Sequence, residues 1–426
     1  MTVGVRHDDL RKRNRAMVIS AIRRGGQPSR TEIALATGLS NSTISTISAN
    51  LIEEGILAEV RGGEAAALKR GRPQVALGLN PAAASVVSVV LSLNALSVHL
   101  VDYAGNTIAS EFARPTTLTL SEQDLIRSVS DCITCLLDNA GSICGPIKRI
   151  TLSVQGITDS DARMMMWSPI TPHSDIAFAG AIEALFGVPV TVENDCNMIA
   201  VALRARAPER YRCNFFTILL SNGIGMGLVL RGELFTGSHS SGGEFGHMVH
   251  IPGGAQCRCG RRGCIEAYAG NYAIYRHAKG ESDDAAPPAD IDAATMEEIM
   301  SAARTAPGRE REAFERAGEA IGYGLGSLFA LFDPAPVAVV GLGTAAFDII
   351  EPALRDAIAR TAGGHHNPVY SFDLEPDERT LITAGGAQRA LTFIDQEIFA
   401  PGLAHAAARA MAEADASAAM LVSSPT

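Results

Sequence analysis

The chain opens with helical periodicity and turns, after about residue 84, into alternating strand-like and helical stretches. Over residues 9–24, Leu10, Val18, Ile19 and Ile22 predict one inward helix face, and Gly25-Gly26 ends the run. Ser29-Arg30-Thr31-Glu32 has the sequence of a capping box, in which Ser29 caps and Glu32 reaches back to its backbone N–H. A short helix to Thr37 follows, then a tight turn at Gly38 and a cap at Ser40. The third helix, 41–54, places Ile44, Ile47, Leu51 and Ile52 on one face and Asn41, Ser42, Ser45 and Thr46 on the other. Segments 56–60 and 74–79 read as strands of a hairpin whose loop ends Lys69-Arg70-Gly71-Arg72-Pro73.

Small polar groups on the first turns of a second helix are what a helix-turn-helix presents to base edges. Asn41, Ser42, Thr43, Ser45 and Thr46 are the candidates for that contact. This helix carries no Lys or Arg, so affinity for phosphates is expected from Arg11, Lys12, Arg13, Arg15 and Arg30, and from Arg70 and Arg72 in a wing able to enter the minor groove. The expected partner is double-stranded DNA.

From residue 85 the apolar pattern predicts an α/β body. Residues 85–102 read as one strand-forming stretch that turns at Tyr103-Ala104-Gly105-Asn106. A helix is predicted at 121–139, and strands at 150–154, 188–192, 215–220, 227–230 and 337–340, with a long helix at 310–332. Glu193-Asn194-Asp195 and Gly341-Leu342-Gly343 fall at strand ends, where ligand loops of such bodies lie. Residues 281–290, with Pro287-Pro288, read as an exposed loop, and the Ala-rich end after Gly402 as a helix or frayed tail.

Charge divides the chain in the same place. Residues 1–80 hold 12 Lys and Arg against 7 Asp and Glu, whereas the whole chain has a net charge of −10. A basic head on an acidic body confines nucleic acid to one end. With 426 residues, 47% apolar and 19% charged, global disorder is excluded and two or three domains are expected. At 5% aromatic residues and one tryptophan, a single-strand binder built on base stacking is not expected. No apolar run is long enough to span a bilayer, and no apolar signal core follows the charged first residues, so a cytoplasmic protein without membrane contact is expected.

Chemistry concentrates at 242–266. Glu244-Phe245-Gly246-His247 precedes Cys257-Arg258-Cys259-Gly260-Arg261-Arg262-Gly263-Cys264-Ile265-Glu266. Three thiolates and one imidazole, from His247, Cys257, Cys259 and Cys264, suit tetrahedral Zn²⁺ in a closed structural site, with glycines letting the chain wrap the ion. Cys132 and Cys135 share a metal-like spacing but sit in an amphipathic helix without a partner pair, and both are expected in the core. Asn194, Asp195, Glu244, His247 and Glu266 surround the cluster in sequence. Carboxylates with an amide can take the paired hydroxyls of a polyol, and Asp195 has the chemistry of a general base. Composition and spacing do not by themselves name a sugar.

Taken together these motifs resemble the ROK family of bacterial repressors and sugar kinases, most closely its repressor branch, over about residues 10–400. The Glu244-x-Gly-His247 motif with the cysteine run, and Arg70-Gly-Arg-Pro73 leading to Leu79-Asn80-Pro81, carry the resemblance. It implies a two-lobed actin-like (ribonuclease H-like) sugar-kinase fold behind a winged helix-turn-helix. The implied division is a head at 1–81, a body at 82–402 and a tail at 403–426. Within the body, lobe one would span about 82–198 plus a C-terminal helix at about 383–402, and lobe two about 199–382. The resemblance further implies that Asn194, Asp195, Glu244, His247 and Glu266 contact a sugar effector, His247 doing so while ligating zinc, and that the chain forms a homodimer or a dimer of dimers on operator DNA.

Kinases of this family open the body with an Asp-x-Gly-Gly-Thr phosphate loop, where this chain has Val90-Leu91-Ser92-Leu93-Asn94. Their second loop, Gly-Thr-Gly-x-Gly-Gly-Gly, reads here Ser221-Asn222-Gly223-Ile224-Gly225-Met226-Gly227, and Gly341-Leu342-Gly343 is a partial nucleotide-base loop. Phosphoryl transfer needs positioning and charge neutralisation at the phosphates, which Asp195 alone does not supply. The expected function is therefore a sugar-sensing repressor of carbohydrate-metabolism genes and not an enzyme, the alternative being an ATP-dependent sugar kinase with a regulatory DNA-binding head. Gln155 stands where the family often has proline, on the specificity side of the cleft.

Overall fold

The head is built as its polar pattern dictates. In the computed structural model, which describes residues 7–60, 75–141, 145–237, 242–288, 290–365 and 369–402, helices α1 (His7–Gly25), α2 (Arg30–Thr37) and α3 (Asn41–Glu53) precede a two-stranded antiparallel sheet of β1 (Leu57–Val60) and β2 (Ala76–Leu79). The capping box forms in full: Ser29 accepts from the Glu32 N–H, and Glu32 accepts from the Ser29 N–H at 2.8 Å. Gly38 takes φ 72°, the left-handed turn that joins α2 to α3. Val18, Ile19, Ile22, Ile33, Ile44 and Leu51 are fully buried. Leu10, expected inside, is 47% exposed, because the head's core closes only on the C-terminal half of α1. The tip of the wing, with Arg70 and Arg72, lies outside the described residues, as does the tail beyond Gly402.

The body contains two five-stranded sheets of the same design. Strands β3 (Ser85–Ser92), β4 (Ala95–Asp102), β5 (Thr107–Ala113), β6 (Ile147–Val154) and β9 (Val190–Asn194) lie in the order β5-β4-β3-β6-β9. Helix α4 (Glu122–Ala140), the short hairpin β7 (Ile157–Thr158)–β8 (Met165–Trp167) and α5 (Phe178–Phe186) fill the connections, and α6 (Asp195–Arg206) follows β9. The second sheet runs β12-β11-β10-β13-β14, from β10 (Phe215–Leu220), β11 (Ile224–Leu230), β12 (Glu233–Leu234), β13 (Val337–Val340) and β14 (Phe372–Glu375). In each, three antiparallel strands are extended by two parallel ones. Helices α7 (Glu266–Ala269), α8 (Asn271–Ala278), α9 (Ala293–Thr305), α10 (Arg309–Phe332), α11 (Phe347–Ala359) and α12 (Ala362–His365) complete the second half. No helix among the described residues is long and apolar enough to cross a membrane.

Residues 85–102, expected as one stretch, are two antiparallel strands folded about Leu93-Asn94. That turn has neither Gly nor Pro, and Asn94 itself supplies the positive φ of 52°. Asn94 also exchanges hydrogen bonds with Thr117: its N–H donates to Thr117 Oγ1, and its Oδ1 accepts from the same hydroxyl.

The chain closes with α13 (Glu378–Phe393), which runs into a π-helical turn at Ile394–Phe399. Helix α13 packs on α6, where a side chain on Gly385 would collide with the Met198 carbonyl. The π turn holds the head. Arg15, expected to meet phosphate, is instead 1% exposed: it makes two bonds to Glu54 at 2.7 and 2.9 Å and donates to the Phe399 carbonyl at 2.9 Å. Lys12, also expected at phosphate, pairs with Glu397 at 3.0 Å. Arg23 grips Asp395 with two bonds at 2.7 and 2.9 Å, and Tyr103 donates to the same carboxylate at 2.6 Å. The head's apolar core is accordingly continuous with Val86, Val101, Tyr103, Leu391 and Phe399 of the body.

Candidate ligand cleft and metal centre

The β9–α6 junction, the β7–β8 hairpin, the glycine-rich loop at 223–226 and residues of 242–266 build the cleft. At the end of β9, Asn194 caps α6: its Oδ1 accepts from the Asn197 N–H at 3.0 Å, and its Nδ2 donates to the Gly156 carbonyl at 2.9 Å. Asp195 is the first residue of α6, 6% exposed, and accepts from the Cys196 N–H at 2.8 Å. Burial pushes its carboxyl up to about 7, against the opposing pull of that N–H and with help from the negative charges of Glu378 and Glu244. Glu244, His247 and Glu266 converge from the far side, so all five residues singled out for a polyol line one open pocket.

The Asp195 environment has a consequence for stability. Between pH 4 and 7 the folded chain holds a proton that the unfolded chain has released, so this group favours folding most at low pH and loses that advantage as pH rises through about 7. Asp195→Asn removes the ionisation. Its stability relative to the parent is expected to grow by roughly 2 kcal/mol between about pH 5 and about pH 8, measured by urea unfolding at both. A difference independent of pH would show that Asp195 is not the buried carboxyl described here.

His247, Cys257, Cys259 and Cys264 come together with their ligand atoms within 4.8 Å of one another. The edge of a tetrahedron with Zn–S bonds of about 2.3 Å is close to 3.8 Å. Cys259 Sγ lies 3.8 Å from Cys264 Sγ, and Cys257 Sγ lies 3.8 Å from His247 Nδ1. The residues therefore fit a tetrahedral ion of zinc's size. Gly260 and Gly263, at φ 83° and 79°, turn the chain around it, and a side chain on Gly263 would collide with the Ile251 carbonyl. Burial holds the Cys257 thiol well above its usual range and that of Cys264 at about 11, so metal uptake must displace protons.

The candidate metal cluster and the pocket share His247. His247 turns Nε2 toward Glu244 Oε2, 3.9 Å away, while Nδ1 faces Cys257. Glu266, 7% exposed, accepts from the Ile224 N–H at 3.1 Å and from the Tyr272 hydroxyl at 3.3 Å, and that hydroxyl also lies 3.5 Å from Cys257 Sγ. Sequence reasoning missed Tyr272 and Trp167. The indole of Trp167 lines the pocket and meets the His247 ring edge-on at 6.0 Å. Being the only tryptophan was its one available signal. Cys132 is buried as expected, whereas Cys135, on the outer face of α4, is exposed.

The glycines of 223–227 serve packing. Side chains on Gly225 and Gly227 would strike the sulfur and carbonyl of Cys196 on α6. Beside Gly341 stands the carboxylate of Glu378, which accepts from the Ser221 hydroxyl at 3.3 Å and is pushed up by burial.

On the head, Asn41, Ser42, Ser45 and Thr46 are exposed together and Thr43 is half-buried. Ser45 and Thr46 hydroxyls donate back to the carbonyls of Asn41 and Ser42 at 2.8 and 3.1 Å. Arg11 and Arg13 are exposed on α1. Arg30 is bound to Glu59 at 2.9 Å.

A sequence profile of the ROK family matches residues 88–379. The chain is 26% identical over 269 residues to the xylose repressor of Bacillus subtilis (strain 168), covering 63% of this chain and 68% of that one. It is 25% identical over 385 residues to the DNA-binding transcriptional dual regulator NagC of Escherichia coli (strain K12), covering 88% of this chain and 92% of that one. A solved ROK family transcriptional regulator, described as a homolog of the E. coli MLC protein, matches with a TM-score of 0.76 at 22% identity, over 92% of this chain and 99% of that one. A ROK family glucokinase from Streptomyces griseus, solved with glucose and AMPPNP, matches with a TM-score of 0.57 at 21% identity, over 72% of this chain and 98% of that one. These two likenesses establish the two-lobed fold.

Proposed function

The chain belongs to the ROK family, and from that premise we propose that it is a transcriptional repressor of carbohydrate-metabolism genes whose body binds a sugar and thereby changes the grip of its head on operator DNA. One observation carries the reading: Asn194, Asp195, Glu244, His247 and Glu266 line a single pocket in a chain whose third helix exposes Asn41, Ser42, Ser45 and Thr46 together. Relatives named as xylose and N-acetylglucosamine repressors support it. The head is taken as residues 1–81 and the body as 82–402, acting as a homodimer or dimer of dimers. His247, Cys257, Cys259 and Cys264 would hold a structural Zn²⁺ that fixes the loop carrying His247 and Glu266.

The contacts supply a route for the signal. Asp195 begins α6, α6 packs along α13, and α13 ends in the turn that holds Arg15 and Arg23 of α1. A sugar that draws the lobes together would shift α13 and, with it, the head. Linkage then requires DNA to weaken the sugar by the same factor.

Asp195, near neutrality in the pocket, is the observation that favours the kinase alternative. Against it, the Asn94 N–H at the first phosphate loop is committed to Thr117, and the Glu378 carboxylate stands beside Gly341. ATP, magnesium and a sugar panel in a coupled assay are expected to give no turnover above background.

The test of the repressor reading starts from DNA selected out of a random pool by the purified chain. A sugar is expected to shift its dissociation constant at least about tenfold, within the usual size of allosteric coupling. No shift with any sugar would sink the reading. On the same DNA, Arg13→Ala should weaken all sequences alike and reduce the salt slope by about 1, whereas Asn41→Ala should cost about 1–3 kcal/mol at one base position and relax discrimination there. Fluorescence anisotropy across a salt series separates the two.

A further inference from the structure

We infer that the cleft takes an uncharged monosaccharide, with its C–H face against Trp167, and refuses the phosphate ester of the same sugar. The inference rests on the sugar reading above and names its ligand class.

Charge is the first argument. Asp195, Glu244 and Glu266 line the pocket, and no Lys or Arg does so among the described residues. A tetrahedral site of three thiolates around a divalent ion leaves one net negative charge, so the loaded metal centre adds no attraction for an anion. A phosphate ester brings about −1.5 to −2 charges and oxygens that only accept.

Committed donors are the second argument. The N-terminus of a helix such as α6 ordinarily offers free N–H groups to an anion. Here the Cys196 N–H is taken by Asp195 and the Asn197 N–H by Asn194, while the Ile224 N–H across the cleft is taken by Glu266. The chain's own side chains fill the places a phosphate would need. The same carboxylates accept from sugar hydroxyls without any net charge being buried.

Trp167 supplies the apolar side. Pairing of Ile157 with Trp167 fixes the β7–β8 hairpin, and Gly156, at φ 150°, lets the chain pass against the Trp167 carbonyl where a side chain would collide. The indole lies T-shaped to the His247 ring at 6.0 Å, and both residues line the pocket. An indole matches the C–H face of a pyranose, as aromatic side chains in ligand pockets commonly do. Gln155, beside it, offers one donor and one acceptor side to a neutral substituent.

Calorimetric titration of the full chain tests this with D-xylose, D-glucose and N-acetyl-D-glucosamine, each beside its own phosphate ester. The best neutral sugar is expected to bind at least about 100-fold more tightly than its ester, from like-charge repulsion at short range. Its binding should also change the fluorescence of the single tryptophan. Trp167→Ala should weaken that sugar about tenfold or more and Trp167→Phe less than about threefold, both with unchanged zinc content. An ester that binds as well as its sugar overturns the charge argument while leaving the sugar reading intact. A Trp167→Ala chain that binds at parental affinity overturns the platform. If neither member of any pair binds, the sugar reading falls, and this inference with it.

Discussion

Cys259→Ser is expected to empty the metal centre, lowering zinc from about one to near zero per chain, and to abolish the sugar response of DNA binding. Cys259 is the informative position because it is half-buried, whereas Cys257 and Cys264 are each 1% exposed and pack into the core of the second lobe. A serine at 259 opens no core cavity, so its effect reports the lost ligand. Without the ion, the Cys257 thiol lies 3.8 Å from a Glu266 oxygen, and Glu266 keeps only its bonds from the Ile224 N–H and the Tyr272 hydroxyl to hold it in the pocket. The cost should be a fraction of the roughly 10–16 kcal/mol by which zinc organises a metal-dependent domain, since the first lobe keeps an apolar core that does not include the cluster, and the second lobe's core holds many further apolar side chains. Loss of local protection at 244–266 by hydrogen exchange, with the first lobe unchanged, is the expected pattern. Full metal stoichiometry in Cys259→Ser would show the ligand set to be wrong.

The second large effect is expected at the junction of head and body. Arg23→Ala leaves Asp395, whose side chain is 7% exposed, with Tyr103 as its remaining side-chain partner. Removing one member of a buried ion pair typically costs about 3–5 kcal/mol, because the other charge stays desolvated. Asp395→Asn is the milder control, since its amide oxygen can still accept from Tyr103 or Arg23, and the Arg23 guanidinium, though without its counter-charge, keeps its bond to the Tyr103 carbonyl. Both variants should bind the sugar with parental affinity, because neither residue touches the pocket. Both should reduce the factor by which sugar weakens DNA toward one, because the turn at 394–399 would no longer carry α1 with α13. Undiminished coupling in a folded Arg23→Ala chain would assign the signal to another route.

What could be read from the residues differed with the kind of physics involved. The head was legible almost throughout, since caps, turn glycine and apolar period are local and each points to the same helices. The metal set was legible for the same reason: three of its four ligands lie within eight residues, with glycines where the turns require them. Helices α6 and α13 were not. They lie between the two lobes and are buried by neighbours on more than one side, so no single apolar stripe marks them. Arg15 reads from sequence as one more cation in a basic run, and nothing local distinguishes it from Arg13.

The chain by itself determined a basic helix-turn-helix, an α/β body of alternating elements and a Cys₃His cluster, because periodicity, capping and ligand spacing act over a few residues. Only the tertiary structure decided that Arg15, Arg23 and Lys12 clamp the head to the turn at 394–399, that the donors at the start of α6 are already committed, and that Trp167 lines the same pocket as the carboxylates. The Arg15 and Arg23 contacts depend on groups up to 384 residues apart being desolvated together. A lone charge or N–H takes its role from the partner that burial imposes, and sequence spacing carries no record of that partner.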